Sequence, residues 1–251
     1  MKKLLLLLLV LGVIASIAVA LLPARLALGY LLPANAPVQF EDVSGTVWNG
    51  RAGRLLRGGN DLGQFGWRVH ARSLLSGVID ADVALDGPAY AGKARVARLS
   101  SGATRLTDVD ASFPASRLEP VLDIPALTLL GKVEMKLDTL ELQNNVPTAL
   151  QGTATWRDAA VGGQDQATFG TLTARFGPLP GGGFGGTLGD EGGPLALEGD
   201  FKTTLLGYEA RATLRARDDN PQVQRALRHI GQAQPDGSVF FHVKGGLGAG
   251  R

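Results

Sequence analysis

Between Tyr208 and Arg217 apolar and polar residues alternate one for one. Tyr208, Ala210, Ala212, Leu214 and Ala216 form one set, and Glu209, Arg211, Thr213, Arg215 and Arg217 the other. Successive side chains of a strand point to opposite faces, so the pattern describes a strand with one dry and one wet face; a helix would mix the two sets around its circumference. Ile79, Ala81, Val83 and Leu85 oppose Asp80, Asp82 and Asp86 in the same way, and Trp67, Val69 and Ala71 oppose Arg68, His70 and Arg72. Val133, Met135 and Leu137 oppose Lys132, Glu134 and Lys136 until the phase slips near Asp138 and Thr139, which predicts a bulge or bend. A last strand is expected to carry Val239, Phe241 and Val243. Parallel sheets are covered on both faces and read as continuous apolar runs, so one-sided strands predict a mainly β, antiparallel fold. The 35 glycines suit the tight turns such a fold needs.

Helices are expected in the minority. The two best stretches are Pro114 to Leu122 and Pro221 to Ile230, each opening on a proline suited to a first helical turn. Asn220 stands where an N-cap belongs. These two stretches also belong to a self-similarity. Gly45-Thr46-Val47-Trp48 is answered by Gly152-Thr153-Ala154-Thr155-Trp156, Leu62-Gly63 by Phe169-Gly170, and Gly87-Pro88 by Gly193-Pro194, at offsets of 106 to 108 residues. A fixed period of that kind predicts two copies of one β module, at residues 38–145 and 146–251, with the boundary near Asn144 to Pro147. The offered connector is too short to separate two independent cores, so one long curved sheet is expected in preference to two sandwiches. Thr155, inserted before Trp156, and the glycine-rich Gly181 to Gly186, expected as a flexible loop, mark where the second copy departs from the first.

Ahead of the modules, Lys2 and Lys3 precede an uncharged stretch over residues 4–22 that includes Leu4, Leu8, Leu11, Ile14, Ile17 and Leu22. Its length is close to the roughly 20 residues that span a bilayer as a helix. Ala18-Val19-Ala20 fits a signal-peptidase site, but the apolar run continues past it and exceeds the roughly 7 to 15 residues of a signal core. The expectation is therefore a retained transmembrane anchor, with residues 1–3 as a cytoplasmic tip, residues 23–37 as a linker, and the rest outside the cytoplasm by the positive-inside rule.

The sequence offers little equipment for chemistry. There is no cysteine, which excludes disulfides and thiolate metal sites, and a net charge of +2 with scattered basic residues is no nucleic-acid footprint. Gly87 to Ala94 matches the spacing of a phosphate loop, but Ala94 replaces the hydroxyl that magnesium needs and a strand pattern follows. The glycines from Gly181 to Gly186 form a G-x-G-x-x-G pattern without a helix after it. Asp108 with Asp110, Asp190 with Glu191 and Asp218 with Asp219 read as turn residues, and Asp80 and Asp82 as solvent-facing strand residues. His70, His229 and His242 have no zinc-like spacing. No catalytic residue, cofactor site or metal site is expected.

The order of short motifs after the anchor carries a resemblance. Val43 to Gly50, with Gly45, Thr46, Trp48 and Gly50, is followed by Leu62-Gly63 and Trp67, then by Leu150 to Thr153 with Gly152 and Trp156. Gly193-Pro194-Leu195 and the closing Leu227, Gly231, Asp236 and Gly237 complete it. In this order the chain resembles protein N of the bacterial type II secretion system. The resemblance implies a non-enzymatic accessory component at the inner membrane, in a machine that exports folded proteins from the periplasm across the outer membrane. It implies other secretion subunits as partners, including the inner-membrane platform and the outer-membrane secretin. Read from the residues alone, Gly45, Trp48, Gly152 and Trp156 are first of all structural: glycine where backbone is tight, tryptophan over a core edge. Asn49-Gly50 is a turn signal. The rival from another class is a membrane-anchored lipid-binding or lipid-transfer protein of the envelope, its amphipathic strands forming an apolar groove.

Overall fold

The computed structural model describes residues 21–31, 36–122, 126–144, 146–204 and 207–245. Leu4, Leu8, Leu11, Ile14 and Ile17 of the expected anchor lie outside them. Leu22 is described and exposed. Among the described residues no helix is long and apolar enough to cross a membrane. The fold is mainly β with few helices, and within each unit the strand pairings among the described residues are antiparallel, as the one-sided alternation predicts. The chain forms two compact units, residues 1–100 and 101–251.

In the first unit, strands β1 (Val38–Glu41), β3 (Asn49–Arg57), β4 (Asn60–Val69), β5 (Ile79–Asp86) and β6 (Ala91–Arg98) are neighbours in that order, and the short β2 (Ser44–Gly45) pairs with β3. Within the expected 23–37 connector the chain forms helix α1 (Ala24–Leu31), whose Ala24 is buried. A 3-10 turn over Ala71–Ser76 joins β4 to β5. The phase of β4 is the expected one, but β5 departs at its first two residues. Ile79 is exposed and Asp80, expected in solvent, is buried. Asp80 accepts hydrogen bonds from Arg95 Nε and Nη2 at 3.0 and 2.5 Å and from Ser73 Oγ at 3.4 Å. The 3-10 turn and the neighbouring strand thus close over the carboxylate, and Arg95 holds its pKa below the ordinary value despite the opposing pull of burial. Alternation shows which face a residue takes, not what a neighbouring loop lays over it.

The second unit runs β7 (Thr104–Pro114), β8 (Leu127–Gln143), β9 (Val146–Gly163), β10 (Ala167–Pro178), β11 (Phe184–Asp190), β12 (Leu195–Thr204), β13 (Gly207–Ala216), β15 (Val239–Gly245) and β14 (Gln232–Ala233). Asn144 directly follows β8, and Pro147 lies in β9 opposite Leu142, so the expected boundary falls at the β8–β9 hairpin. The phase slip on β8 is a real irregularity, with the β8–β9 register shifting between Leu137 and Thr139. On β13 the alternation reads out directly, with Ala212 and Leu214 buried and Arg211, Thr213 and Arg215 exposed. Phe184 to Gly186, expected in a loop, open β11, and only the residues before them form the turn.

Both expected helices exist and both are shorter. Ala115–Leu118 is a 3-10 turn leading into α2 (Glu119–Leu122), while Pro114 ends β7. Helix α3 (Pro221–Leu227) is capped by Asn220, whose Oδ1 accepts from Gln222 and Val223 N–H at 3.0 and 3.3 Å. Its Val223, Ala226 and Leu227 are buried in the core that also holds Leu195, Leu214 and Val239. Full burial of each Val or Leu is worth about 1.5–3 kcal/mol, so the helix is held by its inner stripe more than by its seven-residue length.

Two glycine contacts explain part of the repeated pattern. Gly63, at φ +114°, and Gly87 meet so closely that a Cβ on Gly87 would lie 2.1 Å from Leu62 O. Gly170, at φ +95°, and Gly193 do the same, a Cβ on Gly193 falling 2.3 Å from Phe169 O. Gly177, by contrast, has nothing within 4 Å of its missing Cβ. Gly193→Ala is therefore expected to destabilise by about 1–3 kcal/mol, and Gly177→Ala to change stability by less than about 1 kcal/mol, as read by denaturant unfolding. Equal effects would contradict the close approach.

The wet face carries ion pairs. Arg211 and Lys202 both bond Glu209, with His242 at 3.1 Å, and they hold the Glu209 carboxyl at about 2 against an ordinary 4.5. A pKa depressed in the folded state means that the unfolded chain binds the proton first. Its stabilisation is thus present above 4.5 and lost as pH falls toward 2. The melting temperature is expected to drop across that interval, and Glu209→Gln to reduce the drop. A variant as acid-sensitive as the parent would remove Glu209 from the explanation.

Candidate functional site

Because the strands of the second unit share one phase, their apolar side chains collect on one face. Val133 of β8, Trp156 of β9 and Leu172 of β10 are register partners in a row, and Leu188 of β11, Ala174 of β10 and Ala154 of β9 form another. Leu197, Leu214 and Val239 make a third row on β12, β13 and β15. Leu118 and Leu122 approach from the 3-10 turn and α2, and Ile230 from just beyond α3. Together with Phe169 and Phe241 these residues bound a half-enclosed apolar trough of about 230 Å³.

The trough is dry in its chemistry. Apart from Trp156, only Thr173 among its lining residues has a polar side-chain atom. The Trp156 indole N–H is already used, donating to Leu130 O at 2.8 Å. An enclosed apolar void costs about 24 cal/mol per Å³, so leaving this space empty would cost at most on the order of 5 kcal/mol, comparable with the lower end of a domain's whole stability.

At one end of the trough, near Leu195, a polar clamp fixes the β11–β12 turn. Asp190 accepts from Gly192 and Leu197 N–H, each at 2.8 Å, and pairs with Arg217 at 2.7 Å. Arg217 Nη1 also donates to Gly193 O at 2.7 Å. Burial pushes the Asp190 carboxyl up, but the two N–H donors and Arg217 outweigh it and leave the pKa below the ordinary value. A carboxylate this fully occupied is a structural brace.

The first unit has a counterpart of similar volume, bounded by fewer residues. Ala24, Ala27 and Leu28 of α1 face Phe40, Val47, Phe65 and Trp67 around a space of about 230 Å³. Phe65 lies 5.6 Å from Phe40 and 6.1 Å from Trp67, centroid to centroid. Trp67 Nε1 donates to Val47 O at 3.2 Å, and its ring fills the place a Gly50 side chain would need.

The motif residues fall in different settings. Gly45, at φ +87°, ends β2, and Thr46 closes a turn with Asn49. Trp48 O accepts from Val69 N–H at 2.7 Å. Asn49 and Gly50 are not themselves a hairpin turn but the first residues of β3. Gly152, Thr153 and Trp156 lie inside the long β9, where Gly152 lets the Lys136 carbonyl approach and Thr153 is exposed. The Trp48 and Trp156 motifs therefore do not occupy one shared strand position. Of the motif residues, Val47 and Trp67 line the first cavity, and Trp156 and Leu195 the trough. Leu129, Leu188 and Leu197, which no motif singled out, are trough residues; their signal is strand phase.

Each histidine meets a carboxylate, His70 with Asp82 at 2.8 Å, His229 with Asp165 at 2.9 Å and His242 with Glu209. Among the described residues no three His, Asp or Glu side chains are grouped to hold a metal ion. Gly87 N–H bonds Tyr90 O in a turn that leads into β6, so no helix N-terminus follows the phosphate-loop-like spacing.

Comparison with known proteins bears on this architecture. The family described as type II secretion system (T2SS), protein N matches residues 36–241. The type II secretion system protein N of Vibrio cholerae serotype O1 is 28% identical over 151 residues, which cover 59% of this chain and 59% of that protein. The protein of the same name from Aeromonas hydrophila is 32% identical over 144 residues, 55% of this chain and 56% of that one. The chain thus aligns with somewhat over half the length of these curated relatives. No solved structure matches. With a family match that takes in nearly all the strands of both units, the chain belongs to the type II secretion system protein N family.

Proposed function

We propose that this chain is a non-enzymatic accessory or assembly component of the type II secretion system, serving the export of folded periplasmic proteins across the outer membrane. Residues 4–22 hold it in the inner membrane as a single pass, residues 1–3 stay in the cytoplasm, and the β units stand in the periplasm. Its partners are other secretion subunits, the inner-membrane platform and the outer-membrane secretin among them. The observation that carries this reading is the family match over residues 36–241.

A sheet edge supplies the docking element. Among the described residues, β14 pairs only with Val239 and Phe240, so Phe241 to Gly245 extend past it along the outer side of β15. Unpaired N–H and C=O groups on such an edge accept a strand from a partner. We further propose that the β region arose as two copies, residues 38–145 and 146–251. The paired contacts Gly63–Gly87 and Gly170–Gly193 support the duplication.

A second reading, an envelope protein that holds or transfers lipid, is favoured by the dry trough of the second unit. The two readings are compatible. A photo-crosslinking residue in place of Lys244, on the exposed face of β15, is expected to capture a secretion subunit in the native envelope, and deletion of the gene to reduce export. Recovery of no secretion subunit, with normal export in the deletion strain, would contradict the assembly role.

A further inference from the structure

The trough of the second unit has a definite chemical selectivity. A peptide would bring backbone N–H and C=O groups that the lining cannot pair, and a nucleotide or sugar would bring still more. The Trp156 N–H is committed to Leu130 O, and the Thr173 hydroxyl is the other polar side-chain group of the lining. Size narrows the choice further. An apolar cavity of about 150 Å³ takes one benzene. A trough of about 230 Å³ takes a short length of hydrocarbon and is too small for a whole amphiphile.

We infer that this trough holds the end of one acyl chain, with the polar headgroup left outside. The floor where the chain lies is the register row Ala154–Ala174–Leu188, in which two methyl side chains leave room among the larger lining residues. Phe169 and Phe241 from the strands and Leu118 and Leu122 from the 3-10 turn and α2 complete the lining. The inference rests on the lipid-holding reading and is independent of the assembly role. It makes Ala154 and Ala174 the residues that set how much chain is admitted, since any larger side chain there fills the trough.

The experiment uses the full chain held in amphipol, with Trp48→Phe and Trp67→Phe so that Trp156 alone emits. The probe is dibromostearic acid, whose bromines quench tryptophan on contact. Quenching of more than half the emission is expected in this background, and loss of most of that quenching on Ala154→Phe with an unchanged melting profile. Where Ala154→Phe melts without cooperativity, the smaller Ala174→Leu gives the same readout. Quenching that is absent from the parent, or equal in the filled variants, overturns the inference. Blue-shifted emission that the probe cannot quench also overturns it, since a protein segment, from this chain or a second copy, then fills the trough.

Mass spectrometry of lipid carried through purification separates the levels of the argument. Phospholipid retained by the parent and lost on Ala154→Phe supports the site and makes a phospholipid the source of the chain. Quenching without retained phospholipid supports the site with a free fatty acid as its ligand. Retained phospholipid without quenching overturns this site and leaves the lipid-holding reading standing. Neither lipid nor quenching defeats both.

Discussion

A strand with one apolar face has to bury that face, and nearly everything in the second unit follows from this requirement. The wet sides of its strands carry salt-bridged pairs such as Arg105–Glu141, Arg157–Glu134 and Lys202–Glu209, which leaves the dry sides to find cover elsewhere. Helix α3 gives some of it by placing Val223, Ala226 and Leu227 against the strands, and α2 with its 3-10 turn gives more. Neither helix is long. What they leave uncovered is the trough, bounded by Trp156, Phe169 and Phe241.

The same constraint explains the fixed features around the trough. The Asp190–Arg217 clamp ties the β11–β12 turn to the segment leading into α3, so a strand turn and a helix start are set by one charged contact. Gly170 and Gly193 allow the backbones beneath that clamp to approach closely. Trp156 spends its one polar atom on Leu130 O, which lets a large amphipathic ring serve as a wholly apolar wall. A sheet with a dry pocket beside a fixed polar clamp suits holding an apolar group in place.

Strand phase was the legible part of this chain. The alternation on β13 and the slip at Asp138 were readable because both depend only on neighbouring residues. The helix at Pro221 was readable from its cap. Asp80 was not, because its burial depends on Arg95 and on a turn whose position no local pattern states. The helix at Ala24 was hidden in what looked like a linker, since its apolar residues continue an apolar run and show no contrast of faces until Phe40, Phe65 and Trp67 stand opposite. Tryptophan motifs pointed to Trp67 and Trp156 but suggested equivalence, whereas Trp48 and Trp156 sit in different surroundings. The trough itself is a product of register across seven strands, and register is not written in any one of them.

The absence of cysteine gives a clean way to test the one-sided sheet. Single cysteines placed by Ala210→Cys, Arg211→Cys, Ala212→Cys, Thr213→Cys and Leu214→Cys, in otherwise cysteine-free full-length chains, can be timed for reaction with a water-soluble maleimide under native conditions. The structure predicts fast labelling at positions 211 and 213 and slow labelling at 212 and 214, with position 210 between them, a period of two along the strand. Uniform labelling, or fast reaction at 212 and 214 with protection at 211 and 213, would contradict it.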